Sequence, residues 1–478
     1  MSASKLGAGS GHREAALLLA LLLALAPSPA AAQSPCAFVL GFAAIRAAIG
    51  PERVGDCLED EHANPATGDA LQRTTGGLLV WRKADNWTAF TDGDRTWLNG
   101  PNGLQQRLNS ERFDWEGVRA VALAVPPGMS VGRLARPRQL SLPPGFATSV
   151  FAVGVEGARA LAIGPGGDLY VSATDPGRIY RLPDRDRDGV ADRVELWGDG
   201  LSLPHGLAVR DGYLYVAETG RVVRFRLGPD GERAGAAEPV VADLPSGAGH
   251  YTRTIAFGPD GRLYLSIGSS CDACPETDER RAAIGLYGPE GWRVLARGLR
   301  NAVGLAFRPG TAELWATNNG RDNLGDDLPP DTLYRVRDGM DAGWPRCLPG
   351  GAPDPQLGLA ADCAGVEPPA ATFPAHVAPL GLRFYDGGLF PPEYRGSLFV
   401  ALHGSWNRSS PVGYEVVRLP FDGGRPGQPE PFLSGFLPPG GRRSDVWARP
   451  VDLIVAPDGA LLVSDDDGGM IFRIAPAR

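Results

Sequence analysis

The feature that most constrains this chain is a two-strand pattern that recurs six times after residue 146. The units are RALAIGPGGDLYVSATDPGRIYRL (159–182), HGLAVRDGYLYVAETGRVVRFRL (205–227) and RTIAFGPDGRLYLSIG (253–268). They continue with VGLAFRPGTAELWATNNG (303–320), LGLRFYDGGLFPPEYRGSLFVALHGSWNR (380–408) and VDLIVAPDGALLVSDDDGGMIFRI (451–474). Each joins one β-rich apolar run to another through a Gly-containing turn, which is a hairpin signal. Spacings of roughly 45 to 75 residues leave room for four strands per unit. That arithmetic predicts an all-β fold, a six-bladed β-propeller over 146–478. Small residues at Ala162, Ala208, Ala256 and Ala306 suit innermost strands close to an axis. The run GFATSVFAVGV (145–155) is placed to supply the outer strand of the last blade and so hide both sheet edges.

Hairpin geometry gives the repeat a functional consequence. The approach to a first strand and the exit from its antiparallel partner lie at the same end of the pair. The approach side collects His205, His250, Arg300, Asn301 and Arg449; the exit side collects Glu218, Ser269, Asn318, Asn319, Gly320, His403, Asp465 and Asp466. All are expected at one mouth of a central channel. Each alone reads as an exposed loop residue or an ion-pair partner. Half of the six histidines arriving at one mouth, with arginines, points instead to a functional site.

The first 32 residues do not belong to that fold. Lys5 and Arg13 precede the apolar run AALLLALLLALA (15–26) and the small residues Ala30, Ala31 and Ala32, the pattern of a secretory signal peptide. The run is short for a membrane span, and no other candidate span follows, so a secreted or periplasmic chain is expected. Cleavage would remove Lys5, Arg13 and Glu14 and leave a net charge of −9. Mild acidity argues against nucleic acid as a partner.

Residues 36–120 read as a small α+β domain. FVLGFAAIRAAIG (38–50) has helical apolar spacing, GLLVWRK (77–83) and WTAFTDG (87–93) read as strands, and NGLQQRLNSERF (102–113) as a polar helix. Trp81, Trp87, Trp97 and Trp115 are dense enough to build its core. The Pro-rich stretch within 121–145 reads as a linker.

The six cysteines lie in neighbouring pairs, and in an exported chain they predict the disulfides Cys36–Cys57, Cys271–Cys274 and Cys347–Cys363. Cys271-Asp-Ala-Cys274 also matches a redox or zinc motif, but the partner ligands and the βα context are missing. A further motif runs from Asp184 to Glu195. Asp184, Asp186, Asp188, Val190, Asp192 and Glu195 occupy the ligand positions of a calcium-binding loop, with Gly189 at its sixth position. Strand-like flanks distinguish it from a helix-loop-helix hand and point to a structural ion.

Residues 146–478 resemble the secreted quinoprotein sugar dehydrogenases, the soluble glucose, aldose-sugar and sorbosone dehydrogenase-like proteins. GHYTRTIAFGPDGRLYLSIGSSCD, RGLRNAVGLAFRPGTAELWATNNGRDNLGDDLPP, ALHGSWNR and WARPVDLIVAPDG carry the resemblance. It implies a six-bladed propeller holding pyrroloquinoline quinone (PQQ) and Ca²⁺, a sugar substrate and an external electron acceptor. It places the general base on His250, the Arg-Asn pair on Arg300 and Asn301, and the calcium-holding carbonyls on Gly320 and Arg321. His403 takes a cofactor-contacting lysine's place, and Arg449 that of one carboxylate-binding arginine. Two positions depart from the pattern: a glutamine is replaced by Val303 and the second arginine by Val451. Arg408 or Arg442–Arg443 are candidates to replace that cation. The implied chemistry is hydride transfer from a sugar hydroxyl or aldehyde hydrate, with His250 taking the proton, Arg300 stabilising charge and His205 touching substrate. Two other readings stay open, a calcium-dependent lactonase-type hydrolase and a non-catalytic binding module.

Overall fold

The structure is a computed structural model that describes residues 36–64, 69–82, 87–100, 103–109, 118–129 and 132–477. The expected signal peptide lies outside these residues. The chain divides into two compact units, residues 1–112 and 113–478.

In the first unit, helix Leu40–Ile49 buries Phe42, Ile45 and Ile49, three and four residues apart and hence on one face. They pack with Leu79, Phe90 and Trp97 of an antiparallel six-stranded sheet, and Cys36–Cys57 closes the unit's start. The polar stretch 102–113 differs from its expected helix. Gly103–Leu108 is a strand paired with Arg95–Gly100, with Gly100 opposite Gly103. Two connecting residues make that hairpin cheap to close, and the open strand edge supplies backbone partners that outweigh a weak helical preference.

The second unit contains six four-stranded antiparallel groupings. The first sheet is Ala158–Ile163, Leu169–Ala173, Arg178–Leu182 and Glu195–Gly198; the second is Leu207–Arg210, Tyr213–Glu218, Arg221–Arg226 and Glu238–Val241. The third is Arg253–Phe257, Leu263–Ile267, Ala283–Gly288 and Gly291–Arg297, with Met340–Asp341 added at its edge. The fourth is Leu305–Phe307, Leu314–Asn318, Pro330–Val336 and Ala371–Ala375; the fifth is Pro379–Phe384, Leu398–Leu402, Glu415–Leu419 and Glu430–Leu433. The sixth is Pro450–Val455, Leu461–Asp465 and Met470–Pro476, completed by Phe146–Val153 from the other end of the unit. Each sheet's first strand lies beside the first strand of the next, and Pro450–Val455 lies beside Ala158–Ile163.

Apolar layers fill the spaces between consecutive sheets. Tyr170, Trp197 and Phe225 stack edge to face at 5.5 Å between the first and second sheets. Tyr215–Phe257 at 4.8 Å and Tyr264–Phe307 at 4.9 Å repeat the arrangement at the next two junctions. Such pairs contribute about 0.5–1.5 kcal/mol each beyond the area they bury.

The segment expected as a linker is instead packed. Arg119–Ala122 pairs with Gln139–Leu142, and Leu123, Leu134, Leu140 and Leu142 join the core around the fifth and sixth sheets. The alternation of Leu140 and Leu142 places both on one strand face, a period-two signal that the prolines obscured. Cys271–Cys274 and Cys347–Cys363 are disulfide-bonded, and no described cysteine is free. No helix among the described residues is long and apolar enough to cross a membrane.

Candidate functional site

Strands Arg253–Phe257 and Leu305–Phe307 run side by side, so the residues just before them, His250 and Arg300–Asn301, emerge at one end. Asn319 and Gly320 leave the strand Leu314–Asn318 at that same end, and His403 leaves Leu398–Leu402 there. A cavity of about 360 Å³ brings His250, Arg300, Asn301, Gly320 and His403 together. Arg159, Asn319, Asp322, Asp331, His376 and Asn407 line it as well, and Trp406 stands at its rim.

His250 is held from behind. Its Nδ1 lies 3.0 Å from Ser269 Oγ and 3.2 Å from the Ser269 carbonyl, while Ser269 Oγ donates to the Cys271 carbonyl at 2.6 Å. With the Ser269 hydroxyl proton committed to Cys271, Nδ1 carries the imidazole hydrogen and Nε2 keeps a lone pair. Burial first and then the Arg300 charge push the ring's pKa down to about 4, so it is neutral at physiological pH. Gly268 permits this packing: a Cβ there would come within 2.6 Å of both His250 Cβ and Asn301 Oδ1.

Arg300 is buried and gripped on two sides. Its Nε donates to the Asp272 carbonyl at 3.0 Å, and Nη2 donates to Asp272 Oδ1 and Asp322 Oδ2, each at 2.8 Å. Asp322 also accepts from Asn407 Nδ2 at 2.7 Å. Burial raises the Asp322 pKa, and Arg300 works against that rise. Asp331 is fully buried and accepts from the backbone of Gly320 at 2.7 Å and of Ala378 at 2.9 Å. Burial pushes its pKa up to about 6. On the other side, His403 Nε2 meets Asp466 Oδ1 at 2.9 Å and Arg159 Nη1 meets Asp466 Oδ2 at 2.6 Å. Burial opposes ionisation of Asp466, but His403 and Arg159 outweigh it and hold the carboxyl well below its usual range.

Four lining residues carry buried polar atoms without a partner: Arg159 Nε, Asn301 Oδ1, Asn319 Oδ1 and Asn407 Oδ1. Each such atom costs on the order of 1–3 kcal/mol, and a purely structural ring has no reason to gather one donor and three acceptors in the residues around one cavity.

Several expected residues lie elsewhere. His205 lines a narrower space of about 70 Å³ along the first strands, held at Nδ1 near the Arg253 carbonyl (3.3 Å) and Thr254 Oγ1 (3.4 Å). Its Nε2 has no partner there. Val303 borders both spaces and clusters with Leu380 and Val451. The two positions that depart from the family pattern therefore make an apolar partition. Arg449 folds back, donating to the carbonyls of His403 (3.2 Å) and Gly404 (2.9 Å) beneath the Tyr414 ring. Arg408 turns to the Asp326 and Ala375 carbonyls and to Asp327. The Arg321 side chain pairs with buried Asp354 at 2.7 Å.

In the acidic loop, Asp184, Asp186 and Asp188 offer carboxylate oxygens within 4.8 Å of one another. Asp192 accepts from the Arg185 backbone at 3.0 Å, and the Val190 backbone donates to Asp188 at 2.8 Å. Glu195 departs from the expected ligand set. It begins the strand Glu195–Gly198, where its carboxylate pairs with Arg193 at 2.5 Å and Arg181 at 3.3 Å.

The sequence reading missed Arg159, Asp322, Asp331, His376 and Asn407. Arg159 opens the first repeat and was reachable by the same approach-and-exit rule. His376 precedes the strand Pro379–Phe384 in the same way. Asp331, inside the third strand of its sheet, gives no sequence signal.

The TrAA12-like family description matches residues 140–331 and 358–477. An uncharacterised protein of Borreliella burgdorferi is 40% identical over 187 residues, 38% of this chain and 48% of that one. The PQQ-dependent pyranose dehydrogenase of Coprinopsis cinerea is 27% identical over 240 residues, 38% of this chain and 31% of that one. The match therefore spans half or less of the length of these curated relatives. The solved PQQ domain of the Coprinopsis cinerea pyranose dehydrogenase superposes with a TM-score of 0.64 at 22% identity, covering 74% of this chain and all of that domain, a likeness of fold. With one family description spanning most of the second unit, the chain belongs to the TrAA12-like family.

Proposed function

We propose that this chain is an exported quinoprotein oxidoreductase, secreted or periplasmic, that oxidises a sugar hydroxyl or aldehyde hydrate by hydride transfer to PQQ in the presence of Ca²⁺. On this reading the six sheets are the blades of one β-propeller, and the reducing equivalents pass to an external acceptor. The observation that carries it is the cavity, where a neutral, anchored His250 stands beside a buried Arg300 among partnerless polar atoms.

The lining suits such a group. Asn301, Asn319 and Asn407 Oδ1, with the Gly320 and Arg321 carbonyls, are hard oxygen donors of the kind Ca²⁺ takes. Arg159, with His403 beside it, would supply cationic and donor contacts to a quinone carboxylate. PQQ bound there would supply a hydride-accepting carbonyl carbon, and Ca²⁺ would supply Lewis acidity. His250 Nε2 accepts the proton of the substrate hydroxyl, its orientation fixed by Ser269 through Nδ1. Arg300, held by Asp272 and Asp322, presents fixed positive charge where negative charge develops on oxygen. Val303 and Leu380 give this cavity an apolar side, backed by Val451.

Titrating the purified protein with PQQ, with and without Ca²⁺, tests the assignment through quenching of tryptophan fluorescence. Saturable one-to-one binding that needs Ca²⁺, followed by sugar-dependent dye reduction, is expected. Arg159→Ala should weaken quinone binding about 10- to 100-fold, the size of one charge-assisted contact, and Arg159→Lys should recover part of it. Unchanged affinity in Arg159→Ala would move the carboxylate site elsewhere.

The carboxylates and amides of Asp322, Asp331, Asn301, Asn319 and Asn407 favour one second reading, a Ca²⁺-dependent lactonase-type hydrolase. Lactone hydrolysis with Ca²⁺ alone, in quinone-free protein, would select it.

The acidic loop would hold a separate structural Ca²⁺ through Asp184, Asp186 and Asp188. Asp188→Ala should lower the melting temperature in Ca²⁺ by several degrees while the folded fraction keeps parental turnover. Identical melting of parent and variant, with and without the ion, argues against the site.

A further inference from the structure

Asp272 lies outside the cavity lining, within the short loop closed by Cys271–Cys274, yet it contacts two lining residues, Arg300 and Asp322. Its carbonyl accepts from Arg300 Nε and from Trp344 Nε1, both at 3.0 Å. Its Oδ1 accepts from Arg300 Nη2 at 2.8 Å and from the Asp322 backbone at 2.7 Å. Asn323 Nδ2 reaches Oδ2 at 3.4 Å. One residue therefore grips Arg300 with both backbone and side chain, and this two-point contact fixes the guanidinium plane as well as its position. The same contact set fixes the start of the segment that carries Asp322, the other carboxylate on Arg300.

The neighbouring residue does the same for the histidine. The Cys271 carbonyl accepts the Ser269 hydroxyl at 2.6 Å, which orients that oxygen toward His250 Nδ1 at 3.0 Å. The Ser269 amide donates to the Arg300 carbonyl at 2.8 Å, lacing the two segments together. Behind the loop, Glu276 accepts from the Ser270 amide at 2.6 Å and hydroxyl at 2.8 Å. A disulfide between cysteines only three positions apart has little chain entropy to remove from the unfolded state. Its value lies in local rigidity, which is needed at this point.

We propose that the disulfide-closed loop 271–274 is the positioning element for His250 and Arg300, with Asp272 fixing the arginine directly and Cys271 fixing the histidine's tautomer through Ser269. Neither residue lines the cavity. The kinetic consequence rests on the oxidoreductase reading above; the geometric one does not.

Three variants test it: Asp272→Asn, Asp272→Ala and the pair Cys271→Ser/Cys274→Ser. In protein loaded with PQQ and Ca²⁺, and with the aldose the parent oxidises fastest, Asp272→Ala should lower kcat about 100-fold, the scale expected for a displacement near 1 Å. Asp272→Asn keeps the carbonyl contact and an acceptor at Oδ1, so it should recover most of an order of magnitude. The serine pair should lose about 10-fold. KM and PQQ affinity should stay within about threefold in all of them, a split that a merely destabilised fold would not produce.

A second readout uses protein without PQQ. Long-range ¹⁵N–¹H spectra of the His250 ring at pH 7 should show the Nδ1–H tautomer in the parent. The serine pair, which loosens the Cys271 carbonyl, should show a mixture of tautomers, whereas Asp272→Ala, which acts on Arg300, should keep the parental one. Parental kcat in Asp272→Ala, or an unmixed tautomer in the serine pair, overturns the proposal. A parent that binds PQQ but oxidises no sugar sinks the functional reading instead, and the tautomer spectra then decide the positioning role. Should Asp272→Ala fail to fold, the asparagine variant and the serine pair carry both measurements.

Discussion

His250→Ala, reconstituted with PQQ and Ca²⁺, should bind both with affinity close to parental and turn over roughly two to four orders of magnitude more slowly, the usual contribution of a positioned base. The expectation rests on the ring's protonation and anchoring. Burial and the Arg300 charge bring its pKa down to about 4, so the imidazole is neutral and able to accept a proton throughout the physiological range. Because the shift is downward, protonation of the base removes activity only on the acid side. The acid limb of kcat/KM should fall near pH 4, well below the ordinary value for histidine. Nδ1 is occupied by Ser269, so Nε2 is the nitrogen left to react. Dye-coupled kinetics across pH, compared with quinone titration of the same preparation, separate the chemical step from cofactor loss. Parental turnover in His250→Ala would end the proposed mechanism.

The difference between what was legible in the sequence and what was not has a physical origin. Hairpin geometry depends only on backbone connectivity, so a residue just before a first strand or just after its partner can be assigned to one end without coordinates. That rule brought His250, Arg300, Asn301, Gly320 and His403 to one cavity. It also reaches Arg159, which opens the first repeat. What the rule lacks is the direction of a side chain. His205 and Arg449 sit at equivalent approaches, yet one packs into the narrower space below Val303 and the other folds onto the carbonyls of His403 and Gly404. The long insertion between the fourth and fifth repeats hides His376 from periodicity. Glu195 shows the complementary failure: loop spacing matched a calcium ligand, but the residue also begins a strand, and Arg181 on the neighbouring strand claims its carboxylate. Two competing patterns met at one residue, and the strand pairing won.

Arg300→Ala is the second substitution with a large expected effect, because it removes charge from the reacting centre and support from two carboxylates together. The side chain is 6% exposed and lies 2.8 Å from both Asp272 and Asp322. Loss of one preorganised donor at a developing oxyanion costs about 2.7–4 kcal/mol, so turnover should fall about 10²- to 10³-fold. The fold should weaken too. Breaking a fully buried ion pair costs about 3–5 kcal/mol, but Asp272 is a third exposed and water can screen it, so a loss of about 1–3 kcal/mol is the reasonable expectation. Asp322 should respond by titrating higher still: burial already raises its pKa, and Arg300 is the strongest influence holding that rise in check. The stability deficit should therefore shrink as pH falls and Asp322 takes up a proton, the opposite of ordinary acid destabilisation. Arg300→Lys keeps a charge but lacks the fork that meets Asp272 and Asp322 together, so it should recover stability more fully than turnover. Urea unfolding at pH 5 and pH 8, alongside kcat for both variants, reads each part. Parental kcat in Arg300→Ala, or a stability deficit that grows as pH falls, would show that this arginine serves neither the reaction nor its neighbouring carboxylates in the way its contacts imply.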